Sequence, residues 1–253
     1  MDGDADRLVY FTVPSPTSNK IELVDGDKIL SLFSIFIKEQ LSILNSGAYA
    51  NIGNEHECRI GVVQTAYANG ASTDYLKQLG LEVALTPTGV KYLHEKATQY
   101  DIGIYFEANG HGTIVFSEPV LLYLEAKNNE LLTIAPGTHF SSTLEYAFMK
   151  FKCYMKDFFF FFGAGSEQQK AASRLLAVSK LINQAVGDAL SGTLLVEVIL
   201  RHKGWSIQRW SEIYHDLPSK QLKVVCVYLK ARSASLSFKV ITFYLYVNFI
   251  VAV

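Results

Sequence analysis

Cysteine is scarce in this sequence: Cys58, Cys153 and Cys226 are three in 253 residues, odd in number, far apart and without metal-ligand spacing. That argues against a disulfide framework and a thiolate metal site, and it fits reduced thiols of the cytosol. Net charge is also lacking, since 23 basic and 24 acidic residues leave −1, so there is no electrostatic case for nucleic acid. No basic n-region followed by an apolar h-region opens the chain, and a secretory signal is not expected. Nor is there a long apolar run. The stretch Val240 to Val253 is about 14 residues, short of the roughly 20 that span a bilayer, so a membrane anchor is not expected. What is present is 49% hydrophobic content, ample for the core of one large or two ordinary domains.

Charge of one sign is concentrated in one place. Asp2, Asp4 and Asp6 alternate in DGDADR, and Arg7 follows before an apolar strand from Leu8 to Val13. In extended backbone, residues i, i+2 and i+4 share a face, so the three carboxylates can converge on one hard cation; an all-oxygen set suits Mg²⁺. Arg7 could clamp a phosphate oxygen bidentately. An EF-hand is excluded, because Arg7 stands where its sixth-position Gly belongs and Val13 where its bidentate Glu belongs. From spacing alone, a solvated acidic turn stays open as the other reading.

Further along, a turn at Pro14 to Ser18 precedes a short strand at Ile21 to Val24. Asp25 and Asp27 are placed to cap a helix over residues 28 to 44, where Ile29, Phe33, Ile37, Leu41 and Leu44 keep helical spacing. The run IGVVQT at 60 to 65 reads as a strand, followed by the loop AYANGAST, in which Ser72 or Thr73 starts a helix. LEVALT is a second strand, and Val90, Leu93, Ala97 and Tyr100 form the buried stripe of the helix after it. IGIYF at 102 to 106, the loop EANGHG and the strand TIVF at 113 to 116 complete an α/β domain with a central mixed sheet. Ser166 and Gln169 fit a capping box, and Leu175, Leu176, Ile182, Ala185 and Val186 continue one helical stripe. Trp205 and Trp210 read as anchors of a short amphipathic segment, His94 as part of a solvated face, and His56, His139, His202 and His215 have no metal-like spacing.

The loop Glu107 to Gly112 lies beyond the carboxyl end of a strand, where open α/β sheets bind ligands. Glu107 can accept two sugar hydroxyls, Asn109 can donate and accept, Gly110 and Gly112 let backbone approach a ligand, and His111 can move a proton near neutral pH. Read without the first loop, the same residues make a hairpin turn with a surface His.

Taken together, the stretches DGDADRLVYF, LVDGDKILSLF, IGVVQTAYANGAST, TGVKYLHEK, YDIGIYFEANGHGTIVFS, SEQQKAASRLLAVSKLINQAVGDALSG and WSEIYHDLPSKQLKV resemble the α-D-phosphohexomutase superfamily, in the wording of its acetylglucosamine branch from plants. The resemblance implies phosphoryl transfer through an active-site phosphoserine, turning N-acetylglucosamine 6-phosphate into the 1-phosphate by way of a bisphosphate, for UDP-N-acetylglucosamine synthesis in the cytosol. It implies Asp2, Asp4 and Asp6 as ligands of one Mg²⁺ and Arg7 beside the phosphoserine. Glu107, Ala108, Asn109 and Gly110 would bind the sugar, with His111 as a proton shuttle or a further sugar contact.

The family's TASHNP-type phosphoserine loop and RPSGTE-type phosphate loop do not occur among these 253 residues. The resemblance therefore makes residues 1 to 24 the end of a preceding domain carrying the metal loop, with few partners of its own. It makes 25 to 218 the sugar-binding α/β domain and 219 to 253 a linker that runs into an aberrant apolar tail. Residues 136 to 162, with their Phe run, and the tail read as foreign to the family, as translated intron would. The tail's β-branched and aromatic residues suggest a strand or an aggregation-prone segment. Two expectations follow: a mutase whose chain is inactive alone, or a non-catalytic module that binds Mg²⁺, sugar phosphate or a partner.

Overall fold

Ile60–Thr65 (β3), with polar Gln64 and Thr65 at its end, and the wholly apolar Ile102–Phe106 (β5) are buried along nearly their whole length because both faces of the sheet they form are covered. In the computed structural model, residues 1–13, 21–46, 58–129, 166–232 and 235–248 are described, those from 219 onward by their backbone only. The sheet has the order β4-β3-β5-β6, with β4 at Glu82–Thr86 and β6 at Gly112–Phe116. β3 runs parallel to β4 and β5, and β6 returns antiparallel to β5, which is the mixed sheet expected. Parallel β3 and β5 deliver the loops 66–69 and 107–111 to the same edge of the sheet.

Helix α1, Gly26–Asn45, carries more than an amphipathic stripe. Ile29, Phe33, Ile37, Leu41 and Leu44 are buried as expected, and so are Leu30, Leu32 and Phe36, because the helix lies between the sheet and the later helix Glu167–Leu181. Asp25 caps it, accepting from the amides of Asp27 and Lys28, whereas Asp27 lies inside the first turn and faces the core. α2, Gly70–Gln78, is capped by Asn69 and not by Ser72 or Thr73; Ser72 is buried within the helix. α3 is Val90–Ala97, so Tyr100, though buried, belongs to the loop after it. His94 is half-buried and its Nδ1 lies 3.2 Å from Tyr105 Oη, so it is not on a solvated face.

α4, Glu118–Asn129, was not anticipated; it buries only Val120 and Leu124. α5, Glu167–Leu181, starts with the expected Ser166–Gln169 capping box but stops early. Ile182 leaves in extended backbone, Val186 is 54% exposed, and a separate helix α6, Ala189–Lys203, begins at the Asp188 cap and ends at left-handed Gly204. Residues 182–188 are thus a loop where one continuous stripe was expected. α7, Ile207–Ser211, carries Trp210, fully buried, whose Nε1 donates to the Lys28 carbonyl at 3.0 Å.

β1, Tyr10–Thr12, and β2, Glu22–Val24, pair antiparallel. The first 13 residues have more partners than expected: Leu8 is buried, Tyr10 Oη donates to Glu197 at 3.2 Å, and the Tyr10 ring meets Trp210 edge-on at 5.3 Å. β7, Ser219–Arg232, and β8, Ser235–Asn248, form a long antiparallel hairpin, in keeping with the strand expected of the apolar tail. The turn at 14–18 and the segment 136–162 lie outside the described residues. No helix among the described residues is long and apolar enough to cross a membrane.

Candidate active site

Asp2, Asp4 and Asp6 do converge: one carboxylate oxygen from each lies within 4.8 Å of the others. The cause differs from the strand alternation expected. The backbone makes a turn, closed by the Ala5 amide donating to the Asp2 carbonyl at 3.4 Å, with Ala5 in the left-handed region at φ 59. A non-glycine residue held there is strained and persists only where its surroundings fix it. One such constraint is visible, since the Ala189 amide donates to the Ala5 carbonyl at 2.8 Å. Arg7 closes the turn, its amide donating to Asp2 Oδ1 at 3.1 Å and its Nε lying 3.8 Å from Asp2 and 3.7 Å from Asp6.

The Glu107–Gly112 loop is a β5–β6 hairpin turn, as the bland reading had it, yet it sits against the aspartate loop. The Leu8 amide donates to the Gly110 carbonyl at 3.1 Å, and His111 Nδ1 lies 3.2 Å from Asp6 Oδ2. His111 is therefore not on the surface. Its Nε2 is buried without a hydrogen-bond partner, and a Cβ on Gly187 would come within 2.7 Å of its ring. Asn109 shapes the turn, its Oδ1 accepting from the His111 amide at 2.9 Å and its Nδ2 donating to Glu107 at 3.4 Å. Ala108 contributes its carbonyl, which accepts from the Gly26 amide at 3.1 Å. Gly110 has φ 88, and a Cβ on it would meet the Leu8 carbonyl at 1.9 Å, so no other residue fits.

Sequence reasoning missed two supports of this site. The first is the loop 182–188, which braces the hairpin: Thr113 Oγ1 donates to the Asn183 carbonyl at 2.5 Å, and Gln184 Oε1 accepts from the Phe116 amide at 2.9 Å. The second is a buried polar clasp under the N-terminus of α1. Asp27, 1% exposed, accepts from the Asn69 amide at 2.7 Å, and Asn69 grips Leu217 through both its Nδ2 and its Oδ1, at 2.9 and 3.0 Å. Lys28 Nζ donates to the Ser211 carbonyl at 2.9 Å and to the Tyr214 carbonyl, and stands 3.4 Å over the Tyr214 ring.

Burial dominates the protonation of this clasp. It pushes Asp27 up to about 7, helped by the Asp25 and Asp216 charges and opposed by the Asn69 amide. Desolvation likewise raises Asp25 and Tyr214 and lowers Lys28. Nothing local in the sequence marks Asp27 for burial, since an acidic residue in the first turn of a helix is ordinary.

The aspartate turn can hold a metal. Asp6 Oδ1 is buried with no hydrogen-bond partner, and its nearest cation is Arg7 at 3.7 Å, so the donor set has a vacant oxygen where a divalent ion would complete it.

The mixed α/β fold recurs in solved structures of the α-D-phosphohexomutase superfamily. An N-acetylglucosamine-phosphate mutase described as a member of that superfamily aligns with TM-score 0.64 and 36% identity, covering 90% of this chain and 36% of the other. The Aspergillus fumigatus N-acetylphosphoglucosamine mutase, solved in complex with GlcNAc-6P and magnesium, aligns with TM-score 0.66 and 39% identity over 93% of this chain and 37% of its own. The family model for phosphoacetylglucosamine mutase AMG1, domain III, matches residues 25–146 and 150–205, a range that runs through much of the segment expected to be foreign. The phosphoacetylglucosamine mutase of Arabidopsis thaliana is 58% identical over 224 residues, 88% of this chain and 34% of the relative. The chain belongs to the phosphoacetylglucosamine mutase family, and it spans about a third of the length of the curated relatives it matches.

Proposed function

We propose that these residues form part of the active site of a cytosolic phosphoacetylglucosamine mutase. The reaction interconverts N-acetylglucosamine 6-phosphate and N-acetylglucosamine 1-phosphate through a phosphoserine and a bisphosphate, for UDP-N-acetylglucosamine synthesis. The observation that carries this reading is the contact of two unlike loops: three converging carboxylates touch, through Asp6–His111 and Leu8–Gly110, a hairpin tip that presents Glu107 and Asn109.

Asp2, Asp4 and Asp6 would hold one Mg²⁺, which when bound would supply charge neutralisation for phosphoryl transfer. Arg7, with 54% of its side chain exposed, can leave its aspartate partners for a phosphate oxygen. Glu107 accepts from sugar hydroxyls, Asn109 keeps the tip in shape, and Ala108 and Gly110 fix its height through their backbones. His111 is held by Asp6 through Nδ1, and its buried Nε2 would act as a proton shuttle or a sugar contact only with the ring uncovered. In this division residues 1–24 carry the metal loop and 25–218 the sugar-binding domain, supported by the start of the family match at residue 25.

Titration of the chain with MgCl₂ and with N-acetylglucosamine 6-phosphate, followed by NMR, tests the assignment. Mg²⁺ is expected to shift the amides of residues 2–7 and the sugar phosphate those of 107–111, with Asp4→Asn abolishing the first and Glu107→Gln weakening the second. No saturable shift in either loop at millimolar ligand would overturn it. Because no TASHNP-type loop occurs in these 253 residues, the chain by itself is expected to show no mutase turnover in a coupled assay.

A further inference from the structure

Gly26 lies under the hairpin tip and has no part in the reading above. Its amide donates to the Ala108 carbonyl at 3.1 Å, and a Cβ built on it would stand 1.9 Å from the Glu107 carbonyl oxygen and 2.8 Å from the Gly110 nitrogen. Neither obstacle is the far end of a flexible side chain; both are backbone of the loop itself. The φ of Gly26 is not in the left-handed region, so glycine is needed there for close approach and not for conformation. The same tip meets a second close approach on its other side, where Gly110 lies against the backbone of Leu8. Backbone thus sits on backbone at both sides of residues 107–110.

Gly26 is itself firmly placed. It is the first residue of a 20-residue helix, and the Asp25 carboxylate accepts from the next two amides at 3.1 and 3.3 Å. One residue further, Asp27 anchors the turn to Asn69. The helix start is held from below and offers one free donor upward, to the loop.

We propose that Gly26 is a positioning residue for sugar recognition: the bare start of α1 is the seat that sets the height of the Glu107 carboxylate, and any side chain at 26 lifts it out of register. This rests on the reading of Glu107–Gly110 as the sugar loop, but the seat itself can be tested without sugar.

Gly26→Ala in the full 253-residue chain is the test, with two readouts. In hydrogen exchange, the amides of Gly110 and His111 are expected to exchange at least tenfold faster than in the parent, while those of β3 and β5 keep their protection. In NMR titration, affinity for N-acetylglucosamine 6-phosphate is expected to fall at least tenfold while that for Mg²⁺ changes less than twofold. A variant defective only through general loosening would lose protection in β3 and β5 and weaken both ligands together. Unchanged loop exchange in a folded Gly26→Ala protein overturns the proposal, as does loss confined to the sheet. If the parent binds no sugar phosphate, the sugar reading fails, and the exchange result still decides on the seat. Should Gly26→Ala not fold, Asp25→Ala, which removes the cap holding Gly26 and adds no atom under the loop, must raise Gly110 and His111 exchange in the same way; if it does not, the proposal falls.

Discussion

Replacing Asp27 by Asn should stabilise this protein at neutral pH, against the usual expectation for removing a buried, hydrogen-bonded side chain. Asp27 is 1% exposed, and burial carries its carboxyl from the ordinary 3.8 to about 7. Below about pH 4 it is protonated whether the chain is folded or not, and its contribution is constant. As pH rises from about 4 to about 7 the unfolded chain ionises while the folded one keeps its proton, so the folded state binds more protons and stability falls with pH. At about 1.36 kcal/mol per pH unit, that interval corresponds to about 4 kcal/mol. Asn has no proton to release but still offers an oxygen to the Asn69 amide, which sits 2.7 Å from Asp27. Its amide group meets Gln64 Nε2, now 3.5 Å away, donor to donor, a penalty of about 1 kcal/mol at all pH values.

The stability of Asp27→Asn minus that of the parent should therefore start near −1 kcal/mol at pH 4 and climb by about 4 kcal/mol by pH 8, crossing zero between. Urea melts at half-unit pH steps, followed through the fluorescence of buried Trp210, measure this directly. Titrating groups remote from Asp27 are common to the two proteins and cancel in the difference, while the repulsion from Asp25 and Asp216 stays in it as part of what raises Asp27. A difference that stayed flat across this range would refute the claim that the clasp holds Asp27 against its ionisation.

Other outcomes follow from single contacts. Asn69→Ala removes the cap of α2 and both hydrogen bonds to Leu217, and should lower stability by about 2–3 kcal/mol. Its signature is fast exchange at the Leu217 amide with the β5 amides unchanged. Trp210→Phe leaves the Lys28 carbonyl without its 3.0 Å donor and should cost about 1–3 kcal/mol in a guanidinium melt with unaltered slope. Asp4→Asn should reduce Mg²⁺ affinity at least tenfold by calorimetry without changing the melting midpoint in metal-free buffer, since Asp4 is exposed. Gly187→Ala drives a methyl to 2.7 Å from the His111 ring, so the His111 side-chain resonances should shift while those of His94 stay.

Legibility in the sequence tracked how far each feature depends on near neighbours. β3 and β5 showed as dense apolar runs because both their faces are buried, and α1 showed because Ile29 to Leu44 repeat at helical spacing. The Ser166–Gln169 box is local chemistry and was read correctly. The break at 182–188 was invisible because Ala185 and Val186 continue the apolar spacing of the helix before them; what stops the helix is the tertiary pull of Thr113 and Phe116 on Asn183 and Gln184. Asp27 looked like a cap because its neighbours in sequence are polar, and only the distant residues Gln64 and Asn69 explain its burial. In the candidate site the identity of the aspartates was plain, but their convergence comes from a turn at Ala5 that needs Ala189 to hold it.

The direct contact between the aspartate turn and the hairpin tip has a thermodynamic consequence. Leu8 with Gly110, and Asp6 with His111, join the two loops by direct contacts, so a ligand that orders one restricts the motion of the other. Ordering one by a ligand prepays part of the entropy of ordering the second, and by linkage the favour is mutual and equal in size. An engineer who retuned this domain for another sugar would look for the effect on metal in the sugar-loaded protein and not in the empty one.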